Sequence, residues 1–303
     1  MISLEQKSFS PSKAVILVAV NMLRFNRGYM RHKYQISVIF FLLLTSTWSV
    51  SADKLDRDRE KEVTDKLAEE AEATEIVWLG ANDEEFMALL NNQTDDVAKG
   101  AAIVLHGMGA HPDWPQTISP IRLALPDYGW TTLSIQLPVI APENKVEDYG
   151  KTLVQAVTRI EAAVAFLRER KYLNIVAVGH SFGAASALSF LEKTNERKIM
   201  ALVAIGLQDY AFVKPTLDLL GLIEKSKVPI LDIYGSRDFR EAIDQAADRR
   251  LAAKIGSNEE YTQLEIVGAN HYFNKVEEVL IKRIRGWLDI AAPGVSIVVN
   301  KGE

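Results

Sequence analysis

Residues 174–188 read NIVAVGHSFGAASAL. An apolar run passes into Gly-His-Ser-Phe-Gly, and small helix-favouring residues follow with no linker between. Ser181 therefore stands between Gly179 and Gly183 where a buried strand turns at once into a helix. A turn that sharp brings backbone against backbone, and only residues without a side chain avoid the clash. The serine hydroxyl is pushed outward, and the first N–H groups of the following helix aim at the same spot, which suits a developing negative charge. G-x-S-x-G alone is weak, since glycine and serine frequencies produce it by chance in about one chain of this length in ten. The strand before it and the helix after it are the context that a reactive serine needs.

Strand and helix signals alternate on both sides of this stretch. EIVWL and EEFMALL, from residue 75, read as two strands or as a strand and a short helix, and GAAIVLHG (100–107) is a short apolar run closed by glycine. TISPIRLALPDYG (117–129) reads as a helix leading to WTTLSIQLP (130–138). Between Glu147 and Arg170 the apolar residues Leu153, Val157, Ile160, Val164 and Leu167 recur every three or four positions, the stripe of an amphipathic helix that covers a sheet. After the serine come IMALVAIGL, PTLDLLGLIEKS, VPILDIYG, REAIDQAADRRLAAK, YTQLEIVG and VEEVLIKRIRGWLDI, strand and helix in turn. Near-continuous apolar strands separated by helices predict an α/β fold, a doubly wound, mostly parallel sheet with helices on both faces. GVSIVVN (294–300) has no assigned place in that scheme beyond a candidate edge strand.

Composition narrows the function. The chain has 303 residues, 48% apolar and 25% charged, enough for a sizeable core. A net charge of −5 without a basic block gives no footprint for nucleic acid. The absence of cysteine excludes disulfides, thiolate metal sites and a cysteine nucleophile. His106, His111 and Asp113 share one loop without a second supporting cluster, so no metal site is expected, and no cofactor either.

A serine hydroxyl needs a base to take its proton, and histidine is the usual one near neutral pH. Of five histidines, His32 lies in an N-terminal leader, His106 and His111 precede the serine, and His180 is its neighbour and faces away. His271, in VGANHYFNK, remains; it follows the last strand and can reach the sheet edge that carries Ser181. The base in turn needs a carboxylate to fix its tautomer. Asp238, in YGSRDF, ends the strand between the serine and histidine strands, and Asp209, after VAIGLQ, is the alternative acid.

The order Ser, Asp, His, with GHSFG, GSRD, GANHYF and an earlier HGMG, resembles the α/β-hydrolase superfamily over residues 75–290. The stretch from HGMGAHPDWPQ to GWTTLSIQLP further resembles a bacterial family of exported hydrolase-like proteins of unknown function. The resemblance implies that LHGMG (105–109) is an oxyanion loop, presenting the Met108 N–H opposite the Phe182 N–H. Only about 20 residues separate VAIGL from VPILD, too few for an inserted lid, so little or no lid and an open cleft are expected. Trp114, Phe182, Tyr210, Phe212 and Tyr272 are candidates to line it. The expected activity is a serine hydrolase of the carboxylesterase kind, working through an acyl-enzyme on a small-molecule or polymer-borne ester; a non-catalytic envelope protein that retains the fold is the alternative.

MRHKYQISVIFFLLLTSTWSVSA (30–52) has the basic, apolar and small-residue parts of a secretory signal, and its apolar stretch of about 13 residues is too short to span a membrane. Cleavage after Ala52 and a periplasmic or secreted location are expected, with membrane contact only during export. A translation start at Met30 would give a signal of ordinary length. The expected organisation is a signal segment over 1–52, a charged, solvated helix or linker over 53–73, and the hydrolase-like domain over 74–303.

Overall fold

Eight strands form one sheet in the order β1-β2-β4-β3-β5-β6-β7-β8 in the computed structural model, which describes residues 55–70, 74–82, 84–194 and 197–294. The signal segment, Met30 and nearly all of GVSIVVN lie outside the described residues. The leading pair of apolar runs is a hairpin, β1 (Glu75–Ala81) antiparallel to β2 (Glu84–Asn91), and β2 is antiparallel to β4 (Trp130–Ile135). From there the sheet is parallel through β3 (Gly100–Leu105), β5 (Ile175–His180), β6 (Leu202–Ile205), β7 (Ile230–Arg237) and β8 (Tyr261–Asn270).

The central strands read as unbroken apolar runs because both of their faces are covered. Ala101, Ile103 and Leu105 of β3 point into one core, shared with α3 (Tyr149–Glu169), α4 (Phe182–Lys193), α5 (Leu219–Lys225) and α7 (Ala246–Ile255). Ala102 and Val104 point into the other, shared with α2 (Ile118–Ala124) and α8 (Glu277–Ala291). The polar residues of β4 are buried with their hydroxyls satisfied: Thr132 donates to the Arg122 carbonyl at 2.8 Å and Ser134 to the Pro112 carbonyl at 2.7 Å. REAIDQAADRRLAAK, read as one helix, is broken at Gln245 into α6 (Arg240–Asp244) and α7.

The charged segment before β1, expected as a solvated helix or linker, is more closely bound than that expectation implies. It is helix α1 (Arg57–Glu70), and it is tied to the domain at several points. Leu67 and Val63 pack on Met87 and Leu89 of β2. Asp56 N–H donates to the Val139 carbonyl at 2.9 Å, and Leu55 bridges Ile140. Glu60 meets Arg159 of α3 at 3.0 Å, and Arg159 is only 1% exposed. A strip of three apolar residues in a charged sequence looks negligible, but one acidic side chain answering a buried arginine holds such a helix as well.

Candidate active site

The turn at Ser181 has the strain that its flanking glycines foretell. Ser181 adopts φ 54°, ψ −122°, a left-handed value that a residue with a Cβ rarely takes. A Cβ on Gly179 would lie 2.6 Å from Ala184 N, and one on Gly183 would lie 2.4 Å from the Leu105 carbonyl oxygen, so helix α4 meets β5 at the first position and β3 at the second only because both are glycine. The turn is held by Ser181 N–H donating to the Ile205 carbonyl at 2.7 Å, and by Ala184 and Ala185 N–H groups donating to the Ser181 carbonyl.

At the same edge of the sheet, His271 follows β8 and Asp238 follows β7. His271 Nδ1 lies 2.6 Å from Asp238 Oδ1, and both side chains are almost completely buried. That bond puts the proton on Nδ1 and leaves Nε2 as the acceptor. The carboxylate also accepts the Phe239 N–H at 2.7 Å and the Gly235 N–H at 3.3 Å. Burial pushes the Asp238 carboxyl up, but the His271 hydrogen bond and charge together with the two backbone donors outweigh it, leaving it below its ordinary value. Asp209, the alternative acid, caps its own loop by accepting the Ala211 N–H at 3.0 Å. The structure brings Asp238, and not Asp209, to the histidine.

The loop carrying His271 is pinned from below. His180 Nε2 donates to the His271 carbonyl at 2.9 Å, and Thr117 Oγ1 donates to the Tyr272 carbonyl at 2.8 Å. That bond makes His180 a support for the second imidazole, and burial holds it neutral with a pKa lowered to about 4. Gly206, at φ 60°, leaves room beside the ring: a Cβ there would be 3.0 Å from His271 Nδ1. The outer face of the imidazole is covered by Phe239, stacked at 4.1 Å with the planes 22° apart. Adjacency to an aspartate was the only sequence signal for Phe239.

The HGMG loop lies against the serine. A Cβ on Gly107 would be 3.3 Å from Ser181 Cβ, and Met108 is the next residue. Phe182 is the first residue of α4, so its N–H has no acceptor within its own helix. His106 is wholly engaged: Nδ1 donates to the Gly107 carbonyl at 2.8 Å, and Nε2 accepts the Leu137 N–H at 2.9 Å. Burial lowers its pKa to about 3, so it is a neutral brace between β3 and the end of β4. Asp113 is bound to Arg122 at 2.7 Å. The loop's histidines and carboxylate thus answer to the protein's own groups.

The chain between β6 and β7 holds only α5, so no lid is inserted there. Even so, Ser181 is 6% and His271 4% exposed, under a rim that includes the exposed Phe212, Phe239 and Tyr272. Phe182 belongs to the core, and Trp114 packs on the other core and edges His111 at 5.3 Å. Tyr210, expected to line the cleft, is completely buried, and its hydroxyl lies 3.1 Å from Ser181 Oγ. Among the described residues it is the one hydrogen-bond partner of that oxygen. Nothing in the sequence around Tyr210 pointed to that contact.

A mostly parallel eight-stranded sheet with a strained serine turn at the strand's carboxyl end defines an α/β-hydrolase fold. Solved structures share it. An esterase of Pyrococcus furiosus has a TM-score of 0.59 at 18% identity, over 75% of this chain and 94% of its own. A dienelactone hydrolase from Anabaena variabilis has 0.57 at 18%, over 71% and 96%. A serine hydrolase without a lid from Xanthomonas campestris has 0.54 at 17%, over 74% and 97%. No protein of curated function matches in sequence. The chain belongs to the family described as protein of unknown function (DUF3530), which matches residues 52–152 and 141–290.

Proposed function

We propose that this protein is a serine hydrolase that cleaves a carboxylic ester through an acyl-enzyme. The observation that carries the reading is the buried 2.6 Å bond between Asp238 and His271 Nδ1, at the sheet edge that also presents Ser181 in a left-handed turn. With Nδ1 protonated, Nε2 is free to take the Ser181 proton as Oγ attacks the ester carbonyl. The carbonyl oxygen becomes an oxyanion, held by the N–H groups of Phe182 and Met108, and His271 then protonates the departing alcohol. Water, activated by the same nitrogen, releases the acid. The basic and apolar segment over 31–52 supports a periplasmic or secreted location for this chemistry.

Fluorophosphonates test the reading, since they bond to a serine only when it is activated. The expected result is one adduct on Ser181 in the chain starting at Asp53, absent in Ser181→Ala and strongly reduced in His271→Ala, together with turnover of p-nitrophenyl esters. A folded protein that neither labels nor turns over any chain length in such a series is instead the non-catalytic envelope protein.

A further inference from the structure

We propose that Tyr210 is a second hydrogen-bond donor to Ser181 Oγ, and that it acts in the step where that oxygen leaves the acyl group. The inference rests on the hydrolase reading above and adds to it a catalytic residue outside the serine, histidine, aspartate and backbone donors.

Tyr210 follows β6 on the loop before α5, and its ring is fixed by an edge contact with Phe182 at 5.4 Å and a tilted one with Phe212 at 6.0 Å. Its hydroxyl is 3.1 Å from Ser181 Oγ and is also reached by the Gln208 side chain. Burial keeps the phenol protonated, well above its ordinary range, so at any working pH it has a hydrogen to give. The serine must hand its own hydrogen to His271, so in the reacting state Tyr210 is the donor of this pair and Oγ the acceptor.

The two donors do not compete. Oγ bonded to Cβ and to the acyl carbon keeps two lone pairs, one for the His271 N–H and one for Tyr210. In deacylation, water adds to the acyl carbon and its proton goes to His271 Nε2. The C–Oγ bond then breaks, its electron pair stays on Oγ, and the imidazolium proton returns there, regenerating serine and releasing the acid. Charge grows on Oγ in that collapse, where a preorganised donor in a water-poor site acts most strongly. In acylation the same bond is made while Oγ gains a carbon partner, and the donor contributes less.

Tyr210→Phe keeps the ring contacts and removes only the hydroxyl, so it separates the two steps. With p-nitrophenyl butyrate, the native enzyme is expected to turn over without a large burst. The variant is expected to release about one p-nitrophenol per site in a burst, then turn over about 10- to 100-fold more slowly. Its acyl adduct should accumulate in the intact mass spectrum, while its fluorophosphonate labelling rate stays within about threefold of native. An unchanged thermal midpoint confirms that the variant is folded. Native turnover and no adduct in the variant overturn the role, as does an equal loss of labelling and turnover, which marks Tyr210 as packing for the serine turn. If the native protein labels with a fluorophosphonate, such a result refutes the role of Tyr210 alone; if it does not label, the hydrolase reading falls first.

Discussion

Asp238 and His271, 33 residues apart in the chain, share a 2.6 Å hydrogen bond at the ends of two adjacent parallel strands. Asp238→Asn can still hold the ring but favours the wrong tautomer, with Nε2 protonated. Turnover of a p-nitrophenyl ester should fall about 10⁴-fold, the cost of this change in a serine protease. Asp209→Asn should leave turnover near the native value, because its carboxylate caps a loop. Comparable losses in both variants would show that the acid has been misassigned.

Gly183 has no room for any side chain, with the Leu105 and His106 carbonyl oxygens 2.4 and 2.6 Å from where a Cβ would sit. Gly183→Ala must push β3 away from α4, which separates the Met108 loop from the serine. We expect a loss of about 3 kcal/mol or more in urea unfolding, together with loss of activity. A stable, active Gly183→Ala protein would mean that the two elements pack less closely than described.

Acid should destabilise the protein well above the carboxylate range. Burial lowers His106 to about 3 and His180 to about 4 in the folded protein, against 6.5 in the unfolded chain. Between those values the unfolded chain binds more protons, so stability is full above pH 6.5 and declines as the pH falls through this window, by about 1.4 kcal/mol per unit for each histidine. His111 is shifted in the same direction. Asp238, whose folded value lies below 3.8, adds its loss only in stronger acid. Urea midpoints at pH 7, 5.5 and 4.5 should drop steadily, and a flat profile would refute neutral burial of the pair. His106→Gln should shallow the decline while lowering the midpoint at pH 7.

Helix α1 should matter to both stability and the site. Glu60→Ala leaves Arg159 buried with the Gln136 carbonyl, 3.0 Å away, as its remaining hydrogen-bond partner, and should cost about 3 kcal/mol in urea unfolding. Arg59 hydrogen-bonds the carbonyl of Gly109, next to Met108. Arg59→Ala should therefore lower kcat with little effect on the midpoint, because it frees the loop proposed to offer the oxyanion donor. A change in KM alone would place Arg59 in ground-state binding instead.

The serine turn and the alternation of strands and helices were legible in residues 75–290, because short unbroken apolar runs, amphipathic stripes and Gly179 and Gly183 are local consequences of backbone geometry and burial. His271 could be reached from the sequence because so few histidines compete, and Asp238 because it ends the right strand. The choice between it and Asp209 stays open in the sequence, since both follow parallel strands, and it is the placement of β7 rather than β6 beside β8 that brings Asp238 to the histidine. The Tyr210 hydroxyl on Ser181, His180 beneath the His271 carbonyl and the hold of Glu60 on Arg159 left no trace in the one-dimensional pattern. Each joins groups from separate elements, and where two such groups meet is set by how the sheet twists and its loops pack, which no local spacing encodes.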